Sequence, residues 1–218
     1  FHTWPAAWIQ SFPRVIRSVR KQKRTMSTTY SPELLDELAQ FVSDLITQND
    51  YPGFEARAFK VGLPDRFFSA SSKLFGAALD HESVFVRLVA LRWFEEKPGT
   101  IKPFVKAIID KLSDADEYVR AEALHALEKY HTPTSGNALS CAELLLDKST
   151  LVRKASAKAL AKMLPRVNEG SAKELEDVKK TNLERVHKLL MDAYSDNDVL
   201  VRQKVEKAMR KSGSFERA

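Results

Sequence analysis

The chain has 218 residues, 44% hydrophobic and 29% charged, a composition that buries a core and excludes a disordered tail. One cysteine, Cys141, excludes an intramolecular disulfide or a multi-cysteine metal centre and fits a reducing intracellular compartment, cytoplasmic or nuclear. The formal charge of +6 equals that of residues 1–29 alone, where Arg14, Arg17, Arg20, Lys21, Lys23 and Arg24 meet no acid.

In chain order, residues 1–29 come first as a basic arm with Trp4, Trp8 and Phe12 ahead of the cations. Three readings of the arm stay open. It is sequence upstream of an initiator at Met26, a transit segment that would send the chain to mitochondria, or an arm whose cations contact nucleic acid or an acidic partner. Residues 30–218 form the folded domain. Its first predicted helix covers 32–48, with Ser31 as cap and Pro32 in the first turn, where proline is tolerated. The stretch 49–64, punctuated by Pro52, Gly53, Gly62 and Pro64, reads as the degenerate half of a first helical pair.

A repeat follows. SVFVRLVALRWF (83–94), DEYVRAEALHAL (116–127), STLVRKASAKAL (149–160) and DVLVRQKVEKAM (198–209) align on Arg87, Arg120, Arg153 and Arg202. Arg87, Arg120 and Arg153 are spaced by 33 residues, and Arg153 and Arg202 by 49. Four residues before each arginine stand Ser83, Asp116, Ser149 and Asp198, all good helix caps. Val86, Val119, Val152 and Val201 precede the arginines directly, and Phe94, Leu127, Leu160 and Met209 follow seven later, which sets one apolar stripe along a helix. Amphipathic segments at 65–79, 102–112, 137–147 and about 182–194 supply a first helix for each pair. A helical pair of this kind buries its apolar face only by stacking on its neighbours. The surplus of the 49-residue interval falls in 164–181, with Pro165, Gly170 and a mixed charge run, and is predicted to be an inserted loop with a short charged helix.

The D-x-x-x-x-V-R pattern across residues 80–210 resembles the HEAT-repeat family. The resemblance implies an all-α fold, a short right-handed α-solenoid of about five helical pairs. It also implies a structural ladder of aspartates and arginines between repeats: Asp114, Arg120, Asp147, Arg153, Asp196 and Arg202, with Arg87 in the first copy, where His81 stands in the aspartate position.

No phosphate-binding loop, dinucleotide fingerprint, HExxH or Gly-x-Ser-x-Gly motif is present. His125, Glu128 and His131 are too loosely spaced to make a metal site. Of two enzyme families with similar repeats, deoxyhypusine hydroxylases carry several His-Glu pairs, and here only His81-Glu82 exists. Alkylpurine DNA glycosylases line their groove with aromatics, for which Trp93 is the single candidate in the body. The expected function is a non-enzymatic scaffold that binds a protein partner through its concave face, with no cofactor and no membrane insertion. The alternative is a nucleic-acid-associated subunit that uses the arm together with Lys204, Lys207, Arg210 and Lys211. A DNA glycosylase comes third.

Overall fold

The computed structural model describes residues 32–49, 67, 72–169 and 174–212. The basic arm, residues 50–64 of the expected degenerate half-pair and the C-terminal residues 213–218 lie outside them. Helix α1 (Pro32–Asn49) starts with its proline in the first turn and buries Leu38 and Val42 on one stripe. It packs on the first complete pair, α2 (Ser72–Ala78) and α3 (Val84–Glu96). The second pair is α4 (Val105–Asp110), flanked by 3₁₀ turns at Lys102–Phe104 and Lys111–Ser113, with α5 (Glu117–Lys129). The third is α6 (Ser135–Glu143), closed by a 3₁₀ turn at Leu144–Leu146, with α7 (Thr150–Asn168). The fourth is α8 (Glu176–Ala193) with α9 (Val199–Ser212). Among the described residues there is no strand, and the stacked pairs form an α-solenoid.

The repeat in sequence is a repeat in backbone. Asp114 and Asp147 leave their 3₁₀ turns at φ, ψ of −60°, 146° and −61°, 144°. Asp116 and Ser149, two residues on, take −85°, 129° and −84°, 122° and start the second helices. The acidic caps satisfy amides at the helix starts: Asp116 Oδ1 accepts from the Tyr118 and Val119 N–H groups, and Asp198 Oδ1 from those of Leu200 and Val201. The serines at the same position do not. Ser83 makes no side-chain cap, and the Ser149 hydroxyl donates to Glu117 of the preceding pair instead. Helix α6 starts two residues earlier than its apolar pattern predicts, because Thr134 and Asn137 close a reciprocal capping box ahead of it.

The stretch 164–181 differs from the expected loop. Helix α7 continues through Pro165 to Asn168, and α8 starts at Glu176, so most of the surplus lengthens two existing helices. Proline removes one bond of the ladder along the helix. Contacts outside the helix outweigh that loss: Leu164 and Val167 are buried, and Arg166 donates to the Glu128 and Tyr130 carbonyls at the end of α5. Between these helices Glu174 turns back to accept from the Ser135 N–H and hydroxyl at the start of α6.

One continuous core runs through the stack, with Phe75, Phe94, Leu124, Leu127, Val152 and Leu160 among its members. Leu124 lies in α5, between α3 and α7. Leu124→Ala is expected to cost about 2–5 kcal/mol, whereas Leu146→Ala, at a side chain 64% exposed, is expected to change stability by less than about 0.5 kcal/mol. Urea denaturation of the two variants checks this.

Candidate functional site

The second helices α3, α5, α7 and α9 form one layer. Cross-links near both ends show that neighbours run parallel. Lys154 near the start of α7 pairs with Asp198 before α9 at 3.0 Å, and Asn168 at the end of α7 donates to the Ser212 carbonyl at the end of α9 at 3.2 Å. Between α5 and α7 the corresponding ties are Ser149 to Glu117 and Arg166 to the end of α5.

Three of the four repeats contribute an arginine that holds two turns together. The Arg120 Nη1 group donates to the Asp114 and Ala115 carbonyls of its own turn at 2.9 and 3.1 Å. Its Nε and Nη2 groups form a fork on both oxygens of Asp147 in the next repeat, at 2.8 and 2.9 Å. Arg87 does the same between the His81 and Glu82 carbonyls and Asp114, and Arg153 between the Asp147 and Lys148 carbonyls and Asp196. Each receiving aspartate also accepts the N–H two residues on: Asp116, Ser149 and Asp198 in turn. His81 fills that local role with Nδ1, which accepts from the Ser83 N–H at 3.0 Å. The first rung, Arg87 to Asp114, therefore does not involve the His81 side chain. Arg202 makes the bonds to its own turn, the Asp196 and Asn197 carbonyls, and its fork meets no carboxylate among the described residues.

Burial pushes the Asp147 carboxyl up. The bonds from Arg120 and the Ser149 N–H outweigh burial and hold it below the usual carboxylate range. At Asp196 the Arg153 fork is the largest cause, with the same result. Arg120 and Arg153 are correspondingly raised, chiefly by their aspartate partners.

The centre of the layer is more polar than its apolar stripe predicts. Arg120, Glu122, His125 and Glu128 of α5 are all buried. Arg92 of α3 lies 3.5 Å from Glu122, and Lys158 of α7 lies 2.9 Å from Glu128. Burial pushes the Glu128 carboxyl up, but the nearby His125 ring at 3.7 Å and the Lys158 ammonium at 2.9 Å outweigh this and hold it down at about 2. The equivalents of Glu122 in the other repeats are Val89, Ala155 and Lys204, and those of Glu128 are Glu95, Ala161 and Arg210, so no repeated acidic column marked the two acids as core residues.

Helix α7 carries Lys154, Lys158, Lys162 and Arg166 at four-residue spacing, and no acid at all. On α9, Arg202, Lys204, Lys207, Arg210 and Lys211 face a single acid, Glu206, which pairs with Arg210 at 2.5 Å. Lys129, Lys162, Lys207 and Lys211 are exposed and make no ion pair among the described residues.

Other candidate chemistry is not assembled. Trp93 is only 5% exposed, stacked on Phe75 with ring centres 4.4 Å apart and edge-on to Phe94 at 5.2 Å. It is a core ring, out of reach of a base. His125 and Glu128 are buried, whereas His131 is exposed, and among the described residues no three His, Cys, Asp or Glu side chains gather to hold a metal. Cys141 is fully buried, and burial pushes its thiol up to about 12. No described helix is long and apolar enough to cross a membrane. The arm cations Arg14, Arg17, Arg20, Lys21, Lys23 and Arg24 lie outside the described residues.

A family model described as sister chromatid cohesion protein PDS5 matches residues 83–212, from the residue before α3 to the end of α9. The chain belongs to the PDS5 family. Its HEAT-type repeats and its α-solenoid are also those of solved structures. An engineered protein aligns at TM-score 0.54 and 17% identity over 68% of this chain, and a second at 0.53 and 17% over 69%. This PDS5-family chain spans 66% of the first and 40% of the second. A designed armadillo repeat protein in complex with the peptide (KR)4 aligns at TM-score 0.50 and 14% identity, over 83% of this chain and 92% of that one. At these identities the likeness is one of fold. No curated protein matches the sequence.

Arg120→Met leaves the Asp147 side chain, 8% exposed, without its fork. It is expected to cost about 3–5 kcal/mol, and adding Asp147→Leu should recover part of that loss. Chemical denaturation of the single and double variants measures both. Asp147, Asp196 and Glu128 have carboxyls lowered in the folded state. Their stabilisation is therefore complete above the unfolded value near pH 4 and is lost as pH falls through the folded values. Urea midpoints should fall steeply between about pH 4 and pH 2, and less steeply in Asp147→Asn.

Proposed function

We propose that this PDS5-family protein is a non-enzymatic scaffold that binds a protein partner along the face formed by α3, α5, α7 and α9. The arginine ladder carries this reading. It fixes four parallel helices in register, so that side chains scattered over about 125 residues of sequence present one preformed surface. Preorganisation of this kind lowers the ordering cost of binding. The designed armadillo neighbour carries a peptide, which supports a polypeptide as the class of ligand. The family's name concerns sister chromatid cohesion, and we assign the scaffold to that process.

A second reading, association with nucleic acid, has one observation in its favour: α7 has five cations and no acid. Pull-down of the tagged chain at moderate salt, with and without nuclease, separates the two. Under the scaffold reading the same proteins remain after nuclease. They are lost with Lys162→Glu plus Lys211→Glu on the second helices and kept with Lys106→Glu plus Lys188→Glu on the first helices. Material that disappears with the nucleic acid, and whose binding falls steeply with salt, overturns the scaffold reading. Partners lost only through the first-helix variants overturn the choice of face.

A further inference from the structure

Resting on the scaffold reading, we propose that the face built by α5, α7 and α9 is a docking strip for an extended acidic polypeptide whose carboxylates recur every third residue. A row of exposed cations runs across the helices. Nine residues after the ladder arginines stand Lys129, Lys162 and Lys211, all exposed. Five residues after the ladder arginines stand Lys158, which already pairs with Glu128, and the exposed Lys207, while the same position on α5 is the buried His125. The two positions are four residues apart along each helix, a separation of about 6 Å.

The buried acids of α5 are already used. Glu122 lies against Arg92, and Glu128 against Lys158. They hold the middle of the layer together and leave the row of Lys129, Lys162 and Lys211 without counter-charge among the described residues. Charge complementarity therefore calls for an anionic ligand on this row. Packed helices lie about 8–10 Å apart, and that distance sets the scale on which cations of neighbouring helices recur. A polypeptide in the polyproline II conformation completes a turn every three residues and advances about 9 Å. An acid at every third position then puts all its carboxylates on one side, in step with the helices. Single-stranded nucleic acid would use aromatic platforms beside its cations, and the exposed aromatic among the described residues is Tyr194, after the end of α8 and on none of the three helices that carry the row.

The test uses fluorescence anisotropy of the full chain with a labelled peptide of about four Glu-Pro-Pro triplets, matched to the three-residue turn. The comparison probes are a peptide of the same composition with its glutamates contiguous and an oligothymidine of similar length. The spaced peptide is expected to bind several-fold more tightly than the contiguous one. Lys129→Glu, Lys162→Glu and Lys211→Glu should each weaken it by roughly fivefold to tenfold. Lys106→Glu should leave it unchanged, and circular dichroism should show every variant folded. Equal binding of the two peptides overturns the spacing, and oligothymidine bound as tightly with the same losses makes the strip a phosphate surface. If neither peptide binds while partners from nuclease-treated pull-downs still map to this face, the acidic-segment assignment fails and the scaffold reading stands. If those partners map elsewhere, the scaffold face itself is wrong.

Discussion

The structure depends on one interaction, the arginine that grips its own turn with one nitrogen and the next repeat's aspartate with the other two. A lysine would not replace it. An ammonium is a compact point charge, whereas the guanidinium is a rigid fork that meets both carboxylate oxygens while Nη1 still faces two carbonyls. Because each aspartate also fixes the amide two residues on, the rung sets the start of the following helix as well as the spacing between pairs. Burying such a pair is costly, and a well-packed apolar substitute often matches it in stability. The fork instead fixes register, which an apolar contact between smooth stripes of Ala, Val and Leu leaves free to slide.

This division of labour explains what was legible in the sequence. The four copies, their apolar columns and the α-solenoid class follow from period and composition, because every repeat solves the same burial problem. The partners of the rungs did not follow. Asp114 and Arg120 are six residues apart and look like one motif, yet Arg120 spends its fork on Asp147, and Asp114 receives Arg87. Translation from one repeat to the next is a property of the stack, and no spacing within a repeat encodes it. The serine caps misled for a related reason. Ser149 has the right residue type at the right position, but Glu117 of the preceding pair offers its hydroxyl a carboxylate.

The stretch 164–181 shows the opposite limit. Pro165 and the charge run are local signals for a break, and local signals decide only where tertiary contacts are weak. Here Leu164, Val167 and Arg166 all have partners on neighbouring elements, so the helix continues past its proline. Glu174 then acts where a sequence reading sees only a solvated acid, as an acceptor at the start of a helix 39 residues away.

Net charge was the least informative quantity, and the fold shows why. Residues 30–218 sum to zero, but the sum ignores which acids face inward. Glu122 and Glu128 are spent inside the layer, and Asp114, Asp147 and Asp196 inside the rungs. Each acid withdrawn in this way balances a cation close to it and leaves the cations farther along the same helices facing water. The ladder that builds the scaffold is thus also what polarises it. Neutrality holds for the domain as a whole, while the second-helix face of the last two pairs remains strongly positive.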